Sequence, residues 1–81
     1  MRLPRDISGR ELVQALARLG YATTRQTASH VRVSRLSPTE HHLTIPDHTP
    51  IKVGTLNAIV RELAEANGLT RDDLLRRLFG S

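Results

Sequence analysis

The hydrophobic positions near the N-terminus repeat at the spacing of one helical face. Ser8 followed by Glu11 forms a capping-box pattern before this stretch, and Gly20 follows it as a natural stop. Four aliphatic residues between them stand three or four positions apart, as on one side of a helix: Leu12, Ala15, Leu16 and Leu19. The pattern therefore predicts a helix near residues 9–19.

The pattern then changes to a period of two, as in strands with one buried face. Val31 and Val33 alternate with polar residues, and residues 42–45 alternate again. Ser37-Pro38-Thr39 between these stretches is typical of a turn. Residues 46–54, with two prolines and a glycine, are predicted to form a loop. We predict three short strands in an antiparallel meander, at about residues 21–27, 29–35 and 41–45.

Two amphipathic stretches near the C-terminus predict two more helices. The first covers residues 55–66 and ends at Gly68; the second, over residues 70–79, begins with Thr70 and Asp73 as a cap. A small antiparallel sheet with helices on one face is an α+β sandwich, and its αβββα order is also that of double-stranded-RNA-binding domains. Because 81 residues suffice for one domain, we expect residues 1–81 to form a single domain with a short C-terminal helix.

The final helix carries more apolar side chains than one packed face needs: Leu74, Leu75, Leu78 and Phe79. We expect them to pack onto the domain's own core, the alternative being a second docking surface or self-association. The last two helices also have the order of a DNA-binding helix-turn-helix. Asp72 and Asp73 oppose that interpretation, because they lie at the helix end that would face the DNA.

The composition excludes several classes of site. Cysteine is absent, so there is no disulfide and no thiolate metal site. Tyr21 and Phe79 are too few aromatic rings for a platform that stacks single-stranded bases. Neither a signal-peptide pattern nor an apolar run of about 20 residues is present, so we expect a cytoplasmic protein that does not enter a membrane.

The charge favours polyanionic partners. The formal net charge is +4, and eleven of the twelve basic residues are arginine, since Lys52 is the single lysine. The planar guanidinium of arginine fits phosphate oxygens. Nucleic acids and acidic proteins are therefore the expected partners.

Histidine is the residue type through which this chain could catalyse a reaction, since it takes up and releases a proton near neutral pH. RNA supplies its own nucleophile, the 2′-hydroxyl, so its cleavage needs only a base, an acid and positive charge beside the phosphate. His30 lies early in the second predicted strand, beside Arg32 and on the face opposite Val31 and Val33. Its position alone is equally consistent with an exposed histidine that has no function.

Three other histidines, His41, His42 and His48, could suggest a metal site. Adjacent strand residues point to opposite faces, so His41 and His42 cannot easily share one ion. No carboxylate stands at ligand spacing beside them, although Asp47 is near. We predict no metal and no other cofactor, and interpret His48 either as a phosphate contact or as an ordinary loop residue.

Two stretches of the chain resemble the HicA-like (YcfA-like) mRNA interferase toxins. The first runs from Leu16-Ala17-Arg18-Leu19-Gly20-Tyr21 to Arg25-Gln26-Thr27-Ala28-Ser29-His30-Val31-Arg32, similar to the family's Gly-aromatic helix end and its RQ-x-GSH hairpin. The second contains Leu43-Thr44-Ile45-Pro46, His48 and Lys52-Val53-Gly54-Thr55-Leu56-Asn57-Ala58-Ile59, similar to the family's VTVP-x-H and KKGTL segments. With these stretches in the family's order, the resemblance extends over roughly residues 3–79.

This resemblance implies a metal-independent endoribonuclease that cuts mRNA, belongs to a type II toxin-antitoxin pair and is inhibited by a HicB-like antitoxin. It assigns the role of general acid or base to His30. Around His30 we predict that Arg25, Arg32 and Lys52 hold the phosphate and that Ser29 and Gln26 orient the RNA strand. His48 is included with them as a candidate phosphate contact.

Two positions depart from the family's pattern. Ala28 replaces the usual glycine, which would require a different turn if that position needs a positive φ. Val31 stands where many members carry a second histidine. The alternatives to a nuclease are an RNA-binding module that does not cut, and an inactive remnant that only binds its antitoxin.

Overall fold

The computed structural model describes residues 2–80 and confirms the predicted α+β order of one helix, three strands and two helices. A single 3₁₀ turn, Ala17–Leu19, follows the first helix. The elements are α1 (Gly9–Leu16), β1 (Ala22–Gln26), β2 (His30–Arg35), β3 (His41–Pro46), α2 (Val53–Asn67) and α3 (Arg71–Phe79).

The predicted helix ends are confirmed in their hydrogen bonds. Ser8 Oγ accepts from the amide of Glu11 at 3.1 Å, while the Glu11 carboxylate accepts from the Ser8 amide at 3.0 Å. Gly20 and Gly68 adopt left-handed φ values of 86° and 61°, which favour glycine at helix ends. The first helix departs from prediction by tightening into the 3₁₀ turn after Leu16, and α2 begins two residues earlier than expected. Within residues 2–80, no helix is both long and apolar enough to cross a membrane.

The three strands form an antiparallel sheet in the order β1-β2-β3. Opposite β2, His30 stands across from Pro46 and Ser34 across from His42 on β3. Val31 and Val33 are 4% and 1% exposed, so they face the helices, and the alternate residues face the other way. This second face of the sheet, here called the open face, carries the side chains discussed below.

The core is aliphatic and draws on every helix and on the inner face of the sheet. Leu74, Leu75 and Leu78 of α3 are 0–2% exposed, and Phe79 packs partly buried against the same cluster. The apolar stripe of α3 therefore belongs to the domain's own core. The alternative use of this stripe, as a docking or self-association surface, is wrong because its leucines are already covered.

One arginine is buried with the core. Arg35, at the end of β2, is 4% exposed and donates to the carbonyl and hydroxyl oxygens of Thr39, to the Ala66 carbonyl and to the Asn67 side-chain oxygen. Its guanidinium carbon lies 5.2 Å from the centroid of the Tyr21 ring. Arg35 thus ties the β2–β3 turn to the C-terminal end of α2.

Candidate active site

The backbone of His30 is held where the β1–β2 hairpin meets the loop after β3. The Thr27 amide donates to the His30 carbonyl at 2.9 Å, and the His30 amide donates to Thr27 Oγ1 at 3.2 Å. The carbonyl of Ser29 accepts from the amide of Asp47 at 2.9 Å. The turn is therefore fixed from both sides, and His30 starts β2 in a defined position.

The His30 side chain is exposed on the open face, as the sequence predicts. Its Nδ1 lies 3.0 Å from Ser29 Oγ, in hydrogen-bond contact. With Nδ1 engaged, Nε2 is the nitrogen left to meet a ligand. The ring lines a shallow hollow of about 190 Å³ together with Arg25, Thr27, Arg32 and Thr44. We call this the proximal hollow.

A β-bulge brings Arg25 to the same face as His30. Thr23 pairs with Val33, but Arg25 pairs with Arg32, so Thr24 is the extra residue in β1. Directly opposed side chains share a face of the sheet, and a bulge re-aims the residues that follow it. Without the extra residue, Arg25 would stand opposite Val31 on the helix side. The bulge therefore places two arginines in the proximal hollow.

The charge of the proximal hollow is uncompensated. In the part of the chain that the structure describes, neither Arg25 nor Arg32 forms an ion pair, and no acidic residue lines the hollow. Two guanidinium groups beside an exposed imidazole form a site suited to an anion such as a phosphate diester.

Three other residues expected to contact RNA lie outside this hollow. Gln26 pairs with Val31, so its side chain leaves from the helix-side face, away from His30. His48 is exposed in the loop after β3, and its carbonyl accepts from the amide of Gly9 at 2.9 Å. Lys52 is exposed at the N-cap of α2 and makes no side-chain cap. The structure thus groups Arg25, Ser29 and Arg32 with His30, whereas the other three lie outside the hollow.

The two departures from the family's hairpin pattern have a structural account. Among residues 2–80, Asp6 is the one non-glycine residue with a positive φ, so Ala28 sits in the turn without the strain that a left-handed conformation would impose. Val31 is 4% exposed and fills the core beneath the hairpin. A second histidine at this position would leave on the helix side, away from His30.

The remaining histidines of β3 point to opposite faces, as expected from their adjacency. His41 contacts the Tyr21 hydroxyl through Nδ1 at 2.6 Å and the Glu62 carboxylate through Nε2 at 3.0 Å. His42 contacts Ser34 and Glu40 on the open face. Among the described residues, no three His, Asp or Glu side chains are grouped to hold a metal ion.

Sequence reasoning missed a second hollow on the open face, here called the distal hollow. It measures about 640 Å³ and shares Arg32 with the proximal hollow. Ser34 and His42 line it beside Thr24 and the exposed Leu36. The signal was present in the sequence, because Ser34 follows Arg32 by two positions and His42 precedes Thr44 by two. What was lacking was the register that places these strands side by side.

The comparisons with known proteins bear on the whole of this site. A family model described as the HicA toxin of bacterial toxin-antitoxin systems matches residues 9–67. The matched range includes α1, the entire sheet and α2, and therefore both hollows. No curated protein and no solved structure matches the chain.

Proposed function

Because the chain belongs to the HicA toxin family, we propose that it is an endoribonuclease that cuts mRNA without a metal ion, acting as a single toxin domain in the cytoplasm. His30 is the catalytic general acid and base. The observation that carries this proposal is the proximal hollow, in which one exposed imidazole stands beside two arginines that form no ion pair within residues 2–80.

The reaction follows from the chemistry of RNA. The 2′-oxygen of the substrate attacks the adjacent phosphorus while the bond from phosphorus to the 5′-oxygen breaks. His30 Nε2 takes the proton from the 2′-hydroxyl and returns it to the leaving 5′-oxygen, so a single imidazole serves both steps. The products are a 2′,3′-cyclic phosphate and a 5′-hydroxyl. Arg25 and Arg32 stabilise the negative charge that builds up on the phosphorane.

The neighbouring side chains orient the imidazole and the strand. Ser29 holds Nδ1 of His30 through its hydroxyl, which selects the orientation in which Nε2 faces the substrate. His48 and Lys52 contact phosphates farther along the strand, because both are exposed on the segment that the Ser29–Asp47 hydrogen bond joins to the hairpin. Gln26 has no role in this mechanism, because its side chain leaves from the helix-side face, away from His30.

The partner is an acidic, HicB-like antitoxin that covers the open face and competes with RNA. A nuclease whose site is exposed on a sheet is inhibited most directly by a protein that occupies the same surface. Opposite charge would accelerate this encounter, and salt would slow it.

The test is cleavage of a labelled RNA by purified parent protein, His30→Gln and the matched control His41→Gln. His41 lies on the helix-side face, so its substitution removes an imidazole without altering the hollow. We expect His30→Gln to lose activity by about 10²–10⁴-fold, while His41→Gln, once shown to be folded by circular dichroism, retains it. Cut ends should be 2′,3′-cyclic phosphates and 5′-hydroxyls.

Three outcomes would contradict the proposal. If His30→Gln cuts as fast as the parent, the catalytic assignment is wrong. If the parent binds RNA but leaves it intact, the chain is a binding module. If the parent neither cuts nor binds RNA yet still binds its antitoxin, it is an inactive remnant.

A further inference from the structure

The distal hollow adjoins the proximal hollow at Arg32 but differs from it in character. Arg32 lines both, so a strand of RNA bound at His30 can extend directly into it. Its other lining includes the hydroxyls of Thr24 and Ser34, the imidazole of His42 and the aliphatic Leu36 and Ala22. The proximal hollow fits a phosphate, whereas the distal one combines hydrogen-bonding groups with apolar contact.

The polar side chains of the distal hollow are fixed by a chain of hydrogen bonds. Ser34 Oγ lies 3.2 Å from Thr24 Oγ1 and 2.6 Å from His42 Nδ1. His42 Nε2 lies 2.9 Å from a carboxylate oxygen of Glu40. Groups held in this way are oriented before a ligand arrives, which reduces the ordering cost of binding.

This chain of side chains does not form a second catalytic centre. The order serine, histidine, glutamate is that of a hydrolase triad, but such an enzyme also needs an oxyanion hole of free donors. Ser34 stands in the central strand, paired with Ala22 on one side and His42 on the other, where backbone amides are engaged in the sheet. The hollow is therefore built for binding.

We propose that the distal hollow binds the base of one unpaired RNA nucleotide next to the cleavage site and gives the toxin a sequence preference. This inference rests on the proposed function for the identity of the strand. Ser34 lies four residues along β2 from His30, which is about 13 Å at the rise of a strand. The bound base therefore belongs to a nucleotide close to the cleaved phosphate but not to the scissile linkage itself.

The shortage of aromatic rings determines how the base is held. Stacking on aromatic side chains tolerates any base, but Tyr21 is buried and Phe79 belongs to the helix layer. Recognition must then rely on hydrogen bonds from the Thr24 and Ser34 hydroxyls to the base edge, with Leu36 covering its plane. Both ring nitrogens of His42 are engaged by Ser34 and Glu40, so His42 acts by orienting the Ser34 hydroxyl. Bases that cannot complete those bonds leave polar groups unpaired and are rejected.

A single nucleotide fits the distal hollow better than the surface of a partner protein does. The volume of about 640 Å³ lies in the range of small-molecule pockets, and Leu36, at 74% exposed, is the one large apolar side chain that lines it. A protein interface requires a far larger surface. The adjoining arginines favour a polyanionic strand.

The experiment measures binding of fluorescent RNA hexamers to the His30→Ala chain, which binds without cutting. Each position of the hexamer is changed in turn to each of the four bases. We expect one position at which the best base binds at least about 10-fold more tightly than the worst. Leu36→Ser and Thr24→Val, introduced into the same chain, should reduce this ratio to near one.

Val53→Ser is the matched control for Leu36→Ser, because Val53 is a comparably exposed aliphatic residue, at 69%, that lines neither hollow. It should leave the ratio unchanged. Absence of any base preference overturns the inference, and so does a preference that Leu36→Ser and Thr24→Val leave intact. If these variants instead weaken only the antitoxin complex, the hollow is a protein-docking surface and the inference is wrong. Cleavage by the parent chain is measured separately, so the proposed function can survive any of these results.

Discussion

Arg32 and Arg35 stand three residues apart on β2 and therefore lie on opposite faces of the sheet. Arg32 and Arg35 have no ion pair in the described structure, yet Arg35 is buried and Arg32 is exposed. We predict that Arg35→Met lowers the free energy of unfolding strongly, while Arg32→Met leaves it unchanged and abolishes RNA binding instead. Methionine fills much of the volume of the arginine stem but donates no hydrogen bond.

The expected loss in the free energy of unfolding follows from the hydrogen bonds that Arg35→Met removes. Its guanidinium donates four hydrogen bonds to Thr39, Ala66 and Asn67, and bonds from a charged donor contribute about 1.5–3 kcal/mol each. The cost of burying the charge offsets part of this sum, and water entering the adjacent cleft can satisfy some of the freed acceptors. We expect a net loss of about 2–4 kcal/mol, against a total of roughly 4–12 kcal/mol for a chain of this length.

The assay is urea unfolding followed by circular dichroism. With a slope of about 1 kcal/mol per molar urea, Arg35→Met should lower the midpoint by about 2–4 M, and Arg32→Met should shift it by no more than about 0.5 M. A loss below about 1 kcal/mol for Arg35→Met would refute the structural role given to its hydrogen bonds. Equal destabilisation by the two variants would refute the distinction between the two faces.

Two further predictions concern activity, one concerns the partner and one concerns packing. Expression of the chain alone should arrest growth, and His30→Ala should relieve the arrest at equal protein level; continued arrest would exclude the catalytic role. RNA cleavage should survive a strong chelator, and loss restored by one divalent ion would point to a metal. Arg32→Glu should weaken the complex with the product of the adjacent gene, whereas His30→Ala should bind it normally, as measured by titration at two salt concentrations. Gly9→Ala should destabilise the fold by about 1–3 kcal/mol, because its Cβ would lie 2.1 Å from the Pro46 carbonyl oxygen. Gly54→Ala has open space around it and should stabilise α2 by about 0.5–1 kcal/mol. Thermal unfolding of the two variants checks both values.

The elements that the sequence predicted best are those with a strong local signal. The capping box at Ser8, the left-handed glycines and the 3.6-residue repeats are each satisfied within a few residues of chain, so no tertiary information is needed to recognise them. The alternation of Val31 and Val33 likewise gave the correct buried face of β2. The exposed position of His30 followed directly from it.

Burial of Arg35 was not predictable in the same way. An arginine at the end of a strand is ordinarily exposed, and nothing near it in sequence identifies its acceptors. Two of the four hydrogen bonds go to Thr39, in the β2–β3 turn. The other two go to Ala66 and Asn67 at the end of α2, about thirty residues away, and form only when the helix packs over the sheet. The pattern of polar and apolar residues predicts neither these long-range contacts nor the packing of the guanidinium over the Tyr21 ring.

The face of the sheet on which Arg25 lies could not be predicted from the sequence, for a different reason. A strand has a side-chain period of two, and a strict count from Thr23 turns Arg25 toward the helices. The one-residue bulge at Thr24 reverses this assignment, because it shifts the register between β1 and β2 by one. The same bulge leaves the Thr24 hydroxyl within reach of Ser34. A single irregularity therefore supplies the second cation of the proximal hollow and one polar group of the distal hollow, which links the site proposed for cleavage to the site proposed for base recognition.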